Sequence, residues 1–492
     1  MKRVLVLLVS VLLAFPAFAL RTDAATLPIP PLPTDLLDEP FSGAPVAAAP
    51  LPHQTPPQNP TLAPDGRNSM HNDAYASDAY EVSGPLGRDL EVRTASYGVS
   101  ECATVAFDSR DRIVGLCGGL EGFALRLIDP DDLHQIATLT TGTRDLLALQ
   151  NPFTDLCGGT YFYLDPDDNA FVLTPDKEIW KVHVGETGFE HTGTYELADA
   201  VPGDDCVIAT LPDWHGNVFF ATEQGRVGVI DPATGAIRTM QFAGERIVNS
   251  MAGDETGAIY VLTDHRLAAV EADASGAPVV RWASSYDRGT RQKPGMLSQG
   301  SGTTPTLIGD DLVAIADNAE PRMHVQFYQR SGPRAGRLIC QAPVFGSGTS
   351  ATENSLVAGD GNSVMVENNY GYEGVNTTTL GRTSSPGIAK VVLRPNHTCD
   401  VAWTSAVTAP TSVPKVSWGN GLLYVYAKPA SNPLDDSWYF TAIDVRTGRT
   451  AWQQKTGNGI QWNNHYASVY LGPDGAAYMP VLSGLIRLAD RG

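Results

Sequence analysis

The sequence predicts an all-β, eight-bladed β-propeller, and three observations predict it. A unit recurs eight times, with copies beginning near Ser100, Leu156, Asp204, Arg246, Gly302, Thr349, Ser412 and Asn463, at spacings of 42 to 63 residues. That spacing is the range of propeller blades. Each copy holds a polar loop, an apolar β-rich run, a Gly/Asp turn and a second β-rich run, the pattern of an antiparallel meander. The last copy stops before a fourth strand, while an unpartnered β-like run, Leu90-Glu-Val-Arg-Thr-Ala95, precedes the first. One blade cannot bury both its faces, so such units fold only as an array.

Residues 1–19 read as a secretory signal. Lys2 and Arg3 precede the apolar run Val4 to Phe15, and Ala17-Phe18-Ala19 is a small-x-small cleavage site. The apolar run is shorter than the ~20 residues a spanning helix needs, so no membrane span is expected. Residues 20–65 follow as a Pro-rich, disordered tether, with twelve prolines between 28 and 64. Such a run favours polyproline II structure and supplies no core. Residues 66–88 form a strap segment, GRNSMHNDAYASDAY at its start. It either folds over a channel mouth or packs on the outer rim. The ring itself occupies 89–492.

The clearest blade runs from Val207 to Met240: VIATL, PDWHGN, VFFAT, RVGVID, PATGA and IRTM. The seventh reads KVSW, GNG, LLYVYAK, YFTAIDV, RTG, RTAWQQK. Interiors of the second and third strands are nearly all apolar, as sheets packed on both faces require. Ring closure by the strand at Leu90 would complete the eighth blade and remove two exposed edges. Seven blades is the alternative, because the fifth and sixth units are irregular. The sixth carries an insertion starting Glu367-Asn-Asn-Tyr-Gly-Tyr-Glu-Gly374, and loops of that length inside compact repeats often serve as lids.

Net charge is −20, with no Lys/Arg-rich run. Nucleic acid and anionic membrane surfaces are thereby excluded as partners. A small-molecule ligand or an envelope protein remains, for a secreted or periplasmic monomer. The six cysteines suit an oxidising compartment, and no CxxC motif occurs. Cys102 and Cys117 flank one hairpin; Cys340 and Cys399 end neighbouring units. Fifteen pairings are open.

Two segments, Gly228-Val-Ile-Asp-Pro-Ala-Thr-Gly-Ala-Ile-Arg238 and Tyr439-Phe-Thr-Ala-Ile-Asp-Val-Arg-Thr-Gly-Arg-Thr-Ala-Trp452, resemble the repeats of the quinoprotein-like propeller superfamily. Trp180, Trp282, Trp403 and Trp452 fall at the last strand of four units, where aromatic stacking docks neighbouring blades. The resemblance implies an exported, eight-bladed relative of quinone-dependent (PQQ) dehydrogenases, with adjacent cysteines under the quinone and a Glu/Asn/Asp calcium set. This chain has no Cys-Cys pair, so PQQ is not expected.

Loops leading into the innermost strands converge on one end of a propeller's channel, the default ligand site. Here they supply Glu101, Asp205, Asn249, Glu353 and Asn463 as oxygen ligands for a cation, for which Ca²⁺ is the fitting choice. Mixed central ligation of this kind also resembles the six-bladed lactonase and phosphotriesterase propellers. Asp204, Asn354, Asn464, the lid tyrosines Tyr370 and Tyr372, and the strap's His71 and Asp73 are candidate ligand contacts. His465 and Lys415 are the candidates for proton transfer or anion contact. No GxSxG, HExxH or GxxxxGK[ST] motif is present. The expected function is small-molecule binding at the rim, with or without a divalent cation and hydrolysis. A PQQ-type oxidoreductase and a non-catalytic envelope scaffold are the alternatives.

Overall fold

An Asp that recurs in the first four units is a turn-former. Asp108, Asp165, Asp213 and Asp254 each follow an innermost strand and accept the backbone N–H groups two and four residues ahead. This local bonding reverses the chain without a tertiary partner. The apolar run that follows returns as the second strand of the blade. In the computed structural model, which describes residues 28–30, 40–119, 122–143, 157 and 160–491, the result is eight antiparallel sheets in a ring. There is no α-helix among the described residues.

Blades 1 to 6 are four-stranded meanders spanning 100–142, 162–196, 207–241, 252–285, 306–343 and 357–405. Blade 8 takes three strands from 470–490 and its outermost strand from Leu90–Ser96, which pairs antiparallel with Gly484–Asp490. Eight blades are therefore present, not seven, and closure occurs as the sequence predicts. Gly484 sits at φ +154°, and a Cβ there would lie 1.8 Å from the Ala95 carbonyl oxygen. Only glycine permits the closing strands to approach so closely.

Blade 7 has six strands. Phe41–Gly43 extends its outer edge against Thr450–Asn458, and Ala79–Tyr80 adds a parallel strand inside Lys415–Ser417. Residues 40–65 thus differ from the expected tether. Leu51 and Leu62 are buried, and Leu51 N–H bonds the Trp418 carbonyl at 2.8 Å. Prolines alternate with enough apolar side chains to clamp an extended segment onto the ring, a pattern that composition alone hides. The proposed signal lies outside the described residues. No helix among those described is long and apolar enough to cross a membrane.

Two of the tryptophans dock blades as expected. Trp282 of blade 4 donates to the Arg330 carbonyl of blade 5, and Trp403 of blade 6 donates to the Val445 carbonyl of blade 7. All three disulfides form: Cys102–Cys117 across one hairpin, Cys157–Cys206, and Cys340–Cys399 joining the outer strands of blades 5 and 6.

Candidate functional site

The channel has a lower end, where innermost strands finish, and an upper end, where the chain enters them. The strap closes the lower end. Its carbonyls accept from Phe107, Leu164, Gly253, Leu307, Ala358 and Val416 N–H groups at 2.7–3.1 Å, one from each of blades 1, 2, 4, 5, 6 and 7. Blade 3 is reached by Asn59, whose Nδ2 donates to the Pro212 carbonyl. Of the two dispositions open to the strap, crossing the mouth is the one adopted.

Beneath the strap backbone lies a buried charge network. Lys415 Nζ pairs with Asp78 and donates to the Met70 carbonyl, and neither charged side chain has any exposure. His71 Nδ1 meets Asp78 Oδ1 at 3.0 Å, and His71 Nε2 reaches Thr304 Oγ1 at 3.1 Å. Burial acts against Asp78 ionisation, yet the Lys415 and His71 charges and hydrogen bonds hold its carboxyl below the usual range. Asp73 is spent on Ser77 N–H and hydroxyl.

The upper end is roofed by three loops: 291–297 before blade 5, 372–376 in the insertion of blade 6, and 465–466 before blade 8. They enclose a cleft of about 560 Å³ lined by Lys293, Leu297, Tyr372, His465 and Tyr466 among others. The loops interlock. Gly371 N–H bonds the Pro294 carbonyl, and Tyr372 hydroxyl lies 2.9 Å from His465 Nδ1 and 3.2 Å from Asn463 Oδ1. Tyr372 and Tyr466 meet edge to face, centroids 5.4 Å apart at 89°.

Under this roof the inner end of blade 6 gathers Glu353, Asn354, Glu367 and Asn369. Asn354 and Asn369 both donate to Glu367 Oε1, and Asn369 Oδ1 accepts Glu353 N–H at 2.7 Å. Glu353 Oε2 accepts Leu297 N–H at 2.9 Å, tying the carboxyl to the roof. Four buried oxygens accept nothing from the protein: Glu101 Oε1, Glu353 Oε1, Asn354 Oδ1 and Glu367 Oε2. A buried acceptor left unpaired costs ~1–3 kcal/mol, so four in one region mark a place built for something else to bond them.

Desolvation raises all three carboxyls. Glu353 is pushed up to about 8, partly offset by the Leu297 N–H, and Glu101 and Glu367 stand well above the ordinary carboxyl range. Burial therefore favours the neutral form of all three carboxyls. Glu353 contributes stability fully below its ordinary value of 4.5, and that contribution is lost as pH rises through about 8. The thermal midpoint is expected to fall between about pH 4.5 and 8 and to level off above, with Glu353→Gln flattening part of that fall. Equal slopes for variant and wild type in a pH series of melts would exclude this origin.

The structure divides the residues expected at the rim. Glu101, Glu353, Asn354, Asn463, Tyr372 and His465 do come to the upper chamber or its roof. Asp205 does not serve a ligand: its carboxylate accepts Cys206 and Gln224 N–H groups and the Thr222 hydroxyl, a loop-fixing role. Asp204 is exposed and holds Gln224. Asn464 is spent on Thr411 and Ala467, and Asn249 Nδ2 on the Ser301 carbonyl. Lys415, His71 and Asp73 belong to the lower plug, so Lys415 and His465 do not act as a pair. Tyr370 is half-buried, with Ser385 N–H on its carbonyl, and does not line the cleft. Among the described residues, no three of the chamber's His, Cys, Asp or Glu side chains lie close enough to share an ion. The expected cation set is thus dispersed over several blades.

Glu367, Asn369, Tyr466 and Asp78 were missed. Glu367 ends Ser363–Glu367, a strand buried at every position, and a carboxylate closing an all-apolar run was the available signal. Tyr466 follows Asn463-Asn464-His465, but nothing in the sequence says that its chain turns inward. Asp78 and Asn369 carried no local signal.

No family model matches the chain. Over 333 residues it is 28% identical to an uncharacterized protein of Archaeoglobus fulgidus, covering 61% of this chain and 64% of that one. Over 50 residues it is 46% identical to the lanthanide-dependent methanol dehydrogenase of Methylacidiphilum fumariolicum, 10% of this chain and 8% of that enzyme. The chain thus matches less than two thirds of the length of either relative. In structure it is similar to the quinohemoprotein alcohol dehydrogenase of Comamonas testosteroni, with a TM-score of 0.57 and 12% identity, covering 88% of this chain and 82% of that one. The quinoprotein-like resemblance carried by the repeats is therefore matched in fold, the level at which such low identity speaks.

Proposed function

We propose that the protein is an exported propeller that binds a small molecule in the chamber beneath the upper mouth. One observation carries this reading. Four buried oxygens from blades 1 and 6 lack protein partners under a cleft of about 560 Å³. The plug below makes the chamber a blind pocket, so a ligand enters and leaves through the roof loops only. The signal and the disulfides favour a periplasmic or extracellular site of action.

A bound PQQ is a poor fit to these residues. That cofactor carries several carboxylates, and the chamber would meet them with Glu101, Glu353 and Glu367. Lys293 at the lip has its ammonium turned to the Ala319 and Ser350 carbonyls. Carboxylates brought into a low-dielectric site without a counter-charge cost several kcal/mol. The paired cysteines, Cys102 and Cys117, lie on two strands rather than adjacent in the chain.

A thermal-shift screen of polar metabolites against wild type and the Glu101→Ala, Glu353→Ala double variant tests the reading. At least one compound should raise the wild-type midpoint and leave the folded double variant unmoved. Compounds that shift both proteins equally would place binding outside the chamber and sink it.

A further inference from the structure

The ligand's charge can be argued from the same site, in an inference that rests on the reading just given. We infer that the chamber takes an organic cation, an ammonium compound held by an aromatic corner above and buried carboxyls below. Three sets of observations converge on it.

The aromatic corner comes first. Tyr372 and Tyr466 present rings at right angles on the wall of the cleft, with His465 5.9 Å and 5.2 Å from them respectively. The negative faces of such rings attract an ammonium group, more strongly where water is excluded. Edge-to-face rings form two sides of a cage of the kind that holds quaternary and methylated ammonium groups.

The carboxyls come next. Glu353 is 8% exposed, Asn354 2% and Glu367 1%, and each keeps one oxygen unbonded by protein. Both glutamates interact electrostatically with Tyr466, which places them under the corner. Glu101 reaches the same region from blade 1, through Tyr372. An uncharged ligand would satisfy acceptors only through its own donors. An ammonium group supplies several N–H donors or, if fully alkylated, a charge that the carboxyls balance.

Third, the cations near the chamber are already committed. Lys293 donates to two carbonyls, Lys415 is paired with Asp78 in the plug, and Arg291, exposed on the cleft wall, pairs with Glu320. The remaining titratable neighbours are Glu373 on the cleft wall, Tyr161 on blade 2, Tyr372, His465 and Tyr466 in the roof, and His71 below. The tyrosine hydroxyls named here are held neutral by burial. Beside the buried carboxyls an anionic ligand meets no cation that is not already paired, whereas a cationic one finds three carboxyls.

Binding should then be linked to proton release. A carboxyl that is protonated in the free protein must ionise to balance the ligand's charge, and the proton leaves to solvent. Affinity therefore rises with pH, up to about tenfold per pH unit per proton released, and levels off above the Glu353 value of about 8.

The test is calorimetric titration at pH 6, 7 and 8.5 with choline, putrescine and the neutral choline isostere 3,3-dimethylbutan-1-ol, in two buffers of different ionisation enthalpy. At least one cation should bind more tightly at higher pH with proton release, and the isostere at least tenfold more weakly. Glu353→Gln, which mimics the protonated carboxyl and should fold, is expected to weaken that cation at least tenfold and to flatten its pH dependence. Tyr466→Leu should weaken choline while leaving the proton release per bound ligand unchanged. If neither cation binds while neutral compounds from the metabolite screen still require Glu353, the charge assignment is overturned and the chamber stands. If no compound of any charge depends on Glu101 or Glu353, the chamber itself is lost.

Discussion

Of two truncated chains that both lack the strap and are equally weakened by the loss of Asp78 opposite Lys415, the one that starts at residue 85 should still close its ring, whereas the one that starts at residue 98 should fail to give a soluble monomer. The difference is the strand Leu90–Ser96, which supplies the outermost strand of blade 8. Without it, Gly484–Asp490 presents seven residues of unpaired backbone, and blade 8 stands open beside blade 1. An exposed edge of that length templates association with other chains. Size-exclusion chromatography of the two truncations decides the matter. A monomeric, cooperatively melting chain from residue 98 would mean that the ring closes by side-chain packing alone.

Asp78→Ala should destabilise the protein by about 3–5 kcal/mol at neutral pH, because it leaves the Lys415 ammonium buried without a counter-charge. His71 loses its carboxylate partner in the same step. Pairing the substitution with Lys415→Met removes the stranded charge and should recover most of the loss, since a buried ion pair contributes little over apolar groups of similar volume. Denaturant unfolding midpoints of the single and double variants give the comparison. A double variant as unstable as the single would show that the pair's worth lies in the strap's backbone register.

The ring was legible in the sequence because its rules are local and repeated. Asp108, Asp165, Asp213 and Asp254 recur at one point of the first four units, and the alternation of turn and apolar run needs no tertiary information. The chamber was legible only in part. Glu101, Glu353 and Asn354 could be placed from their position ahead of an innermost strand. Asp205 and Asn464 occupy equivalent positions, but neighbouring N–H and hydroxyl groups draw their side chains aside. Nothing in the spacing distinguishes these two outcomes. The segment over 40–65 was obscure for another reason. Its contacts are spread over blades 2, 3, 6 and 7, far along the chain, and proline content describes a segment's stiffness without saying what it lies against.

The strap also has a temporal meaning. In a propeller each blade touches two neighbours, so stability ordinarily spreads around the ring step by step. Here one short run of backbone is bonded to six of the eight blades, and its final partners, Val416 and Ser417, lie more than 300 residues downstream. The first part of the domain to emerge during synthesis is therefore among the last to find its place. Contacts of such sequence separation are entropically costly and slow to form. The floor of the channel is complete only once blade 7 is in place to bond the Asp78 carbonyl. A ring interrupted at any earlier stage has no floor.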